Sequence, residues 1–394
     1  MLFQPINDKR FAGVYANGKI YTDSLPEGLS QTWRYCPYLG DMDIAYAYLY
    51  CTGCTLDDAC PQSIHSEWIE ATSKLKAHLA ACQEAKINMS EVSLVDLVPF
   101  SLLQRFFDLK NMITGYVLDN YPKPENYDFL LDLEKMLCEI RQQKINFDLH
   151  ELKPHLTTAH ARLMYKRMKD IGRYIDYDPF RVKTGRLTTK RGSFPILTMS
   201  REFRNGIKPN NDRFVELDFN AAELRTFLAL SGEEQPQGDI HEWNAQNVYK
   251  GMITRDEAKK RIFAWLYNPS STDKLSAGAY DREAVVKKYF NGSQVSTFFD
   301  RNISADNHHA LNYIIQSTTS DLFLRQAIKI NKLLKEKKSY IAFTLHDSLV
   351  IDCVEEDMPT IRELVEVFRD TPLGKFVVNI SIGNSYGNMQ RLKL

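Results

Sequence analysis

The stretch RFVELDFNAAELRTFLALSG (213–232) decides how the rest of the chain is read. Residues 213–219 alternate like a half-buried strand, and residues 220–232 switch to helical spacing. Asn220 fits the helix N-cap, Glu223 the third helical position of a capping box, and Gly232 the C-terminal cap. Asp218 therefore stands at the end of a strand, anchored by the apolar residues before it. A carboxylate held in this way suits a hard divalent cation.

Working downstream, Asp239-Ile240-His241 follows the first helix. Thr254 and Glu257 form a capping-box pattern that opens the helix RDEAKKRIFAWLYN (255–268). Arg255, Lys259, Phe263 and Tyr267 recur every fourth position, so they form one slanted stripe of two cations followed by two aromatics. Cations near a helix N-terminus can hold a triphosphate while the aromatics face a base or sugar. A long helix is expected from about Asp306 to Lys335, with Asn312 and Gln316 one turn apart. YIAFTLHDSLVIDCV (340–354) reads as a hairpin whose tip carries His346 and Asp347. Residues 357–370 make another helix and KFVVNISIG (375–383) a final strand. Strands with helices segregated between them predict an α+β core.

Upstream, FAGVYANGKIYTD (11–23) is strand-like around an Asn17-Gly18 turn, and HSEWIEATSKLKAHLAACQEAKI (65–87) is helical. Two more helices are expected over 127–143 and 157–172. The stretch 178–212 is rich in Pro, Gly, Thr and Arg and reads as loop and short strand. It contains TGRLTT (184–189), a Gly-Arg loop flanked by hydroxyls that suits backbone or groove contact with nucleic acid.

The chain has 394 residues, 44% apolar and 25% charged, which excludes a wholly disordered or fibrous protein. No apolar run reaches the roughly 18 to 20 residues of a spanning helix, and the first residues lack a secretory core, so no membrane and a cytoplasmic location are expected. Seven cysteines fit reduced thiols there. Cys51, Cys54, Cys60 and His65 are spaced more loosely than the two close pairs of a structural zinc site, so no zinc is expected.

Fifty basic and fifty acidic residues give a net charge of zero, which by itself argues against a nucleic-acid partner. The distribution argues otherwise. Residues 1–150 carry 13 basic and 20 acidic side chains, whereas residues 161–213 carry 14 basic and 5 acidic. That basic band can neutralise phosphates.

In order and spacing, these segments resemble the polymerase domain of family A DNA polymerases, from about residue 180 to the C-terminus. The residues that carry the resemblance are TGRLTT (184–189), DFNAAELR (218–225), DIH (239–241), Arg255-Lys259-Phe263-Tyr267, Asn312 and Gln316 with Asp321, and His346-Asp347-Ser348. The resemblance implies a right-hand polymerase fold, with an antiparallel-sheet palm, helical fingers, a helical thumb and a small N-terminal α/β region. The division is 1–105 for an N-terminal domain that is reduced from, or unrelated to, a 3′–5′ exonuclease, then 106–180 for a thumb-like region. The palm is split into 181–238 and 311–394, around short fingers at 239–310.

By the same resemblance Asp218 and Asp347 bind two Mg²⁺ ions, for which Mn²⁺ can substitute. Arg255, Lys259 and His241 hold the incoming nucleotide's phosphates, and Lys259 serves as proton donor to the leaving group. Phe263 and Tyr267 shape the pocket, and Glu223 excludes a 2′-hydroxyl. Arg186, Thr184, Asn312, Gln316 and His346 touch primer–template DNA. The implied substrates are dNTPs, and a helicase–primase or a processivity factor is the kind of partner implied. Three departures from the family pattern stand out: Ser348 in place of a glutamate, Ala264 in place of a glycine, and only 70 residues between His241 and Asn312. Asp41-Met42-Asp43 and NYDF (126–129) imitate exonuclease motifs, but the region is too short for that domain plus a thumb, so no proofreading is expected.

Three other readings remain. Single-subunit RNA polymerases share the palm but lack the glutamate at position 223. A catalytically inactive DNA-binding palm does not need intact Asp218, Asp347, Arg255 and Lys259. A phosphohydrolase built on the two aspartates leaves the Arg-Lys-Phe-Tyr stripe unexplained.

Overall fold

The computed structural model describes residues 1–8, 11–87 and 92–392. The chain divides into two compact units, Met1–Gln142 and Gln143–Leu394.

In the first unit, strands Phe3–Pro5, Val14–Ala16 and Lys19–Tyr21 form an antiparallel sheet. Asn17 and Gly18 both take positive φ, 49° and 74°, as the tight turn between the last two strands requires. Helices His65–Glu84, Phe100–Asn120 and Tyr127–Gln142 complete this unit's longer elements. Aromatic faces join them: Trp68 stacks on Phe106 at 5.4 Å, and Tyr15 on Phe107 at 5.3 Å. Asp41, on the surface, pairs with Lys135 at 3.0 Å. Cys51 is buried, Cys54 and Cys60 are half-buried, and all three are free thiols.

The second unit is α+β and is centred on a five-stranded antiparallel sheet. Its strands are β1 (Arg213–Phe219), β2 (Tyr340–Leu345), β3 (Ser348–Cys353), β4 (Val378–Gly383) and β5 (Gln390–Leu392), in spatial order β2-β3-β1-β4-β5. The segment at 375–383 is thus not the last strand, because β5 returns antiparallel to it. Alternation along β1 puts Leu217 and Phe219 on one face, where Phe219 stacks on Phe368 at 4.3 Å. Phe368 lies on the amphipathic helix Ile361–Arg369, whose Ile361, Leu364 and Val365 are also buried. That helix begins four residues later than expected, after a 3₁₀ stretch over Glu355–Thr360. The other face carries Glu216 and Asp218.

A second core holds helices α1 (Ala222–Ser231), α2 (Ile240–Asn247), α3 (Arg255–Tyr267) and the N-terminal half of α4 (Ala310–Leu334). Leu224, Phe227, Ile262, Trp265, Ile314 and Ile315 meet there, almost wholly buried. Helix α4 starts at Ala310, not Asp306, because Asp306 instead accepts from His309 N at 2.8 Å ahead of it. The basic helix Ala159–Asp170 buries Ala161, Met164 and Met168 and exposes Arg162, Lys166, Arg167 and Lys169. No helix of the described residues is long and apolar enough to cross a membrane.

Candidate active site

One wall of a cleft of about 640 Å³ is acidic. Strand β1 lies at the centre of the sheet, and its register pairs Asp218 with Ser348 on one side and Asn379 on the other. The β2–β3 hairpin reverses in two residues, with His346 at φ 57°. Asp347 is the second of these and so arrives beside Asp218, where its carbonyl accepts from Phe219 N at 3.5 Å. Both carboxylates line the cleft. Burial pushes the Asp218 carboxyl up to about 7, and the Asp347 charge adds to this; Asn379 Nδ2, donating to Asp218 Oδ2 at 3.1 Å, opposes it. Asp347 is raised first by burial and then by the Glu223 charge.

Two half-buried like charges are costly unless a cation joins them. The donor set is all oxygen, which fits Mg²⁺ or Mn²⁺. Among the described residues no three His, Cys, Asp or Glu side chains converge on one point. The pair therefore supplies two protein ligands and leaves positions for water and phosphate oxygens.

The facing wall is cationic. Helix α3 opens with the expected capping box: Glu257 N donates to Thr254 Oγ1 at 3.3 Å, and Thr254 N to Glu257 Oε2 at 2.8 Å. The cap fixes the start of the helix, so Arg255, Lys259 and Phe263 line the cleft. Arg255 grips Asp239 Oδ2 through Nε at 3.2 Å and Nη2 at 2.7 Å. Asp239 Oδ1 caps α2 by accepting from His241 N and Glu242 N. Burial alone would raise the Asp239 carboxyl, but Arg255 and these amides outweigh it and hold it at about 2. His241 is 3% exposed, and its ring packs 5.8 Å from Phe263. Burial, then the Lys259 charge, push the imidazole down to about 4, so it is neutral at pH 7. Its Nδ1 is buried with no hydrogen-bond partner among the described residues.

Between the walls lies Glu223. It receives hydrogen bonds from Arg186 on one carboxylate oxygen and Tyr267 on the other. Glu223 is therefore no capping box: α1 starts at Ala222, and Ala221, at φ 50°, holds the N-cap position with no side-chain bond. Asn220 is not the cap either. Its Oδ1 accepts from Arg225 Nη2 at 3.1 Å and Ile240 N at 3.3 Å, tying the β1–α1 turn to α2. Arg225 is fully buried and makes this tie with its whole guanidinium, including bonds to the carbonyls of Asn220 and Pro236.

No family model and no curated protein matches the chain. Among solved structures it is similar to the polymerase domain of Pol1 from M. smegmatis, solved with DNA primer-template and dNTP. The identity is 15% and the TM-score 0.58, covering 86% of this chain and 81% of that one. The chain has a DNA polymerase-domain fold.

Within the polymerase-domain fold, Asp218, Asp347, Glu223, His241, Arg255, Lys259, Phe263, Arg186 and His346 all line one cleft. Tyr267 reaches it through Glu223. The remaining predicted residues lie elsewhere. Thr184 is 3% exposed, with its hydroxyl buried and without a hydrogen-bond partner among the described residues. Asn312 lines a separate pocket of about 340 Å³ behind Tyr267. Gln316, one turn on, is not among the cleft-lining residues. Ser348 is buried and donates to Leu345 O at 3.1 Å. Asp321 holds Arg301 by two bonds, at 3.0 and 2.7 Å. The structure adds Arg201, Thr319, Ser320, Phe323 and Asn379 to the cleft. Asn379 had a readable signal, because a strand paired to β1 must set one side chain beside Asp218. Thr319, Ser320 and Phe323 had none, since their helix face depends on packing.

Proposed function

We propose that the chain is a template-directed DNA polymerase of the family A kind, extending a primer 3′ end with deoxynucleotides and without proofreading. The observation that supports this reading best is the pairing of Asp218 and Asp347 across one cleft from Arg255, Lys259 and His241. In this reading 181–238 and 311–394 form the palm, 239–310 short fingers and 106–180 a thumb-like region, after an N-terminal domain at 1–105.

The primer's 3′-hydroxyl loses its proton to solvent as its oxygen attacks the α-phosphorus of the nucleotide, and the bond to the β-phosphate bridging oxygen breaks, releasing pyrophosphate. Two Mg²⁺ ions, when bound at Asp218 and Asp347, supply charge stabilisation of the attacking and leaving oxygens. Arg255 exchanges Asp239 for phosphate oxygens. Lys259 neutralises the leaving group and donates a proton to it. Neutral His241 supplies a hydrogen bond to phosphate without a competing charge. Glu223, held by Tyr267, fills the space beside the sugar's 2′ carbon and favours dNTPs over NTPs. Arg186, Arg201 and the exposed cations of the helix Ala159–Asp170 bind duplex phosphates. Catalysis is then mostly positioning and preorganised charge.

Primer extension with wild type and Asp347→Ala over a salt series tests this. Extension by wild type and none by the variant is expected, with affinity for primed DNA falling steeply as salt rises. DNA binding with no extension by either protein would leave the inactive scaffold instead, and equal use of NTPs would favour an RNA polymerase.

A further inference from the structure

The C-terminal strand brings a cation to the proposed metal site. Strand β5 pairs with β4 in a register that sets Arg391 opposite Ser381, two residues from Asn379 on the same face. Arg391 Nη2 donates to Asn379 Oδ1 at 2.9 Å. Asn379 Nδ2 in turn donates to Asp218 Oδ2 at 3.1 Å. The return between β4 and β5 is tight: a Cβ on Gly383 would lie 2.5 Å from Asn388 O, and one on Gly387 would clash with Asn205. Tyr386 N is tied to Ile207 O at 3.0 Å. Packing of the return and the β4–β5 pairing together set the backbone of Arg391.

We infer that Arg391 and Asn379 form a positioning relay that fixes which oxygen of Asp218 faces the metal. A guanidinium only donates hydrogen bonds and a carboxylate only accepts them. Between the two, the Asn379 amide has one workable orientation, oxygen to Arg391 and nitrogen to Asp218. The arginine thus locks the amide, and the amide commits Asp218 Oδ2, leaving Oδ1 for the cation. A charged donor at one end of such a chain strengthens the bond at the other. The inference rests on the proposed polymerase reading only through Asp218 as a metal ligand.

The test combines Mn²⁺ binding by electron paramagnetic resonance with the Mg²⁺ dependence of single-nucleotide incorporation. The proteins are wild type, Asp218→Ala, Asn379→Leu, Arg391→Ala, Arg391→Lys and the double variant Asn379→Leu/Arg391→Ala. Thermal unfolding confirms that each folds. Asn379→Leu is expected to weaken Mn²⁺ binding about ten-fold and to raise the half-saturating Mg²⁺ similarly. Arg391→Ala should give a smaller shift of about three-fold, Arg391→Lys should restore most of it, and the double variant should match Asn379→Leu.

Wild-type values for folded Asn379→Leu would overturn the relay. So would an Arg391→Ala effect that persists in full when Asn379 is already leucine, because Arg391 would then act alone. If wild type binds Mn²⁺ through Asp218 but extends no primer, the polymerase reading fails and the relay is judged on binding. If Asp218→Ala binds Mn²⁺ as wild type does, the relay falls.

Discussion

The two walls of the cleft are built differently. The acidic wall is held by backbone: Asp218 sits in the middle of a five-stranded ladder and Asp347 in a two-residue turn. The cationic wall is held by side chains that grip other side chains, Arg255 on Asp239 and Arg186 on Glu223. Carboxylates brought together by a ladder and its turn have little room to move apart, so in the proposed reading they await a cation. Exposed or half-exposed ion pairs are weak enough to exchange, so in the same reading the arginines let go of protein and take up phosphate. One wall is preorganised, and the other is stored in a form that a ligand can claim.

The largest effect should come from the rigid wall. Asp347→Ala is expected to lower single-turnover incorporation by at least about 10³-fold. Asp218→Asn should do the same and also raise the melting temperature of the metal-free protein, since it removes a buried like charge. A lower melting temperature would mean that the ladder does not hold the pair under repulsion.

Next is the buried imidazole of the cationic wall. With its folded pKa near 4 against about 6.5 unfolded, His241 stays neutral in the native state while the unfolded chain takes up a proton. Its stabilising contribution is thus complete above pH 6.5 and is lost as pH falls towards 4, by on the order of 3 kcal/mol. Chemical denaturation of wild type and His241→Gln between pH 7 and 4 should show the wild type losing ground over that interval. Parallel curves would mean that His241 is open to protonation.

Glu223→Ala should then cut the preference for dNTPs over NTPs, read as a ratio of kcat/KM, by about 100-fold. Smallest of the set, Asp239→Asn keeps an N-cap acceptor for α2 but removes the charge from Arg255. The KM for dNTP should fall two- to five-fold, with less change at high salt. An unchanged KM would show that Arg255 does not have to be released.

This contrast also governs what could be read from the sequence. The ladder was legible because strand alternation is local: β1 and the 340–354 hairpin stand at the predicted residues, and the Thr254–Glu257 capping box opens α3 as expected. Asn220 and Glu223 satisfied a capping-box pattern equally well, yet tertiary partners claimed both. Arg225 took the asparagine, and Tyr267 with Arg186 took the glutamate. A polar side chain with two uses gives no local sign of which will win. Strand β5 was missed because three residues give too short a period to detect.

Ala221 carries one more consequence. An alanine at φ 50° sits where a glycine would rest without strain. Ala221→Gly would relieve that strain at the price of a floppier unfolded chain, a net gain of at most about 1 kcal/mol. Yet Ala221 lines the same cleft as Asp218 and Glu223 and packs on the helical core. For anyone who evolves this chain towards heat resistance, position 221 is a place where selection for durability and selection for turnover should pull in opposite directions.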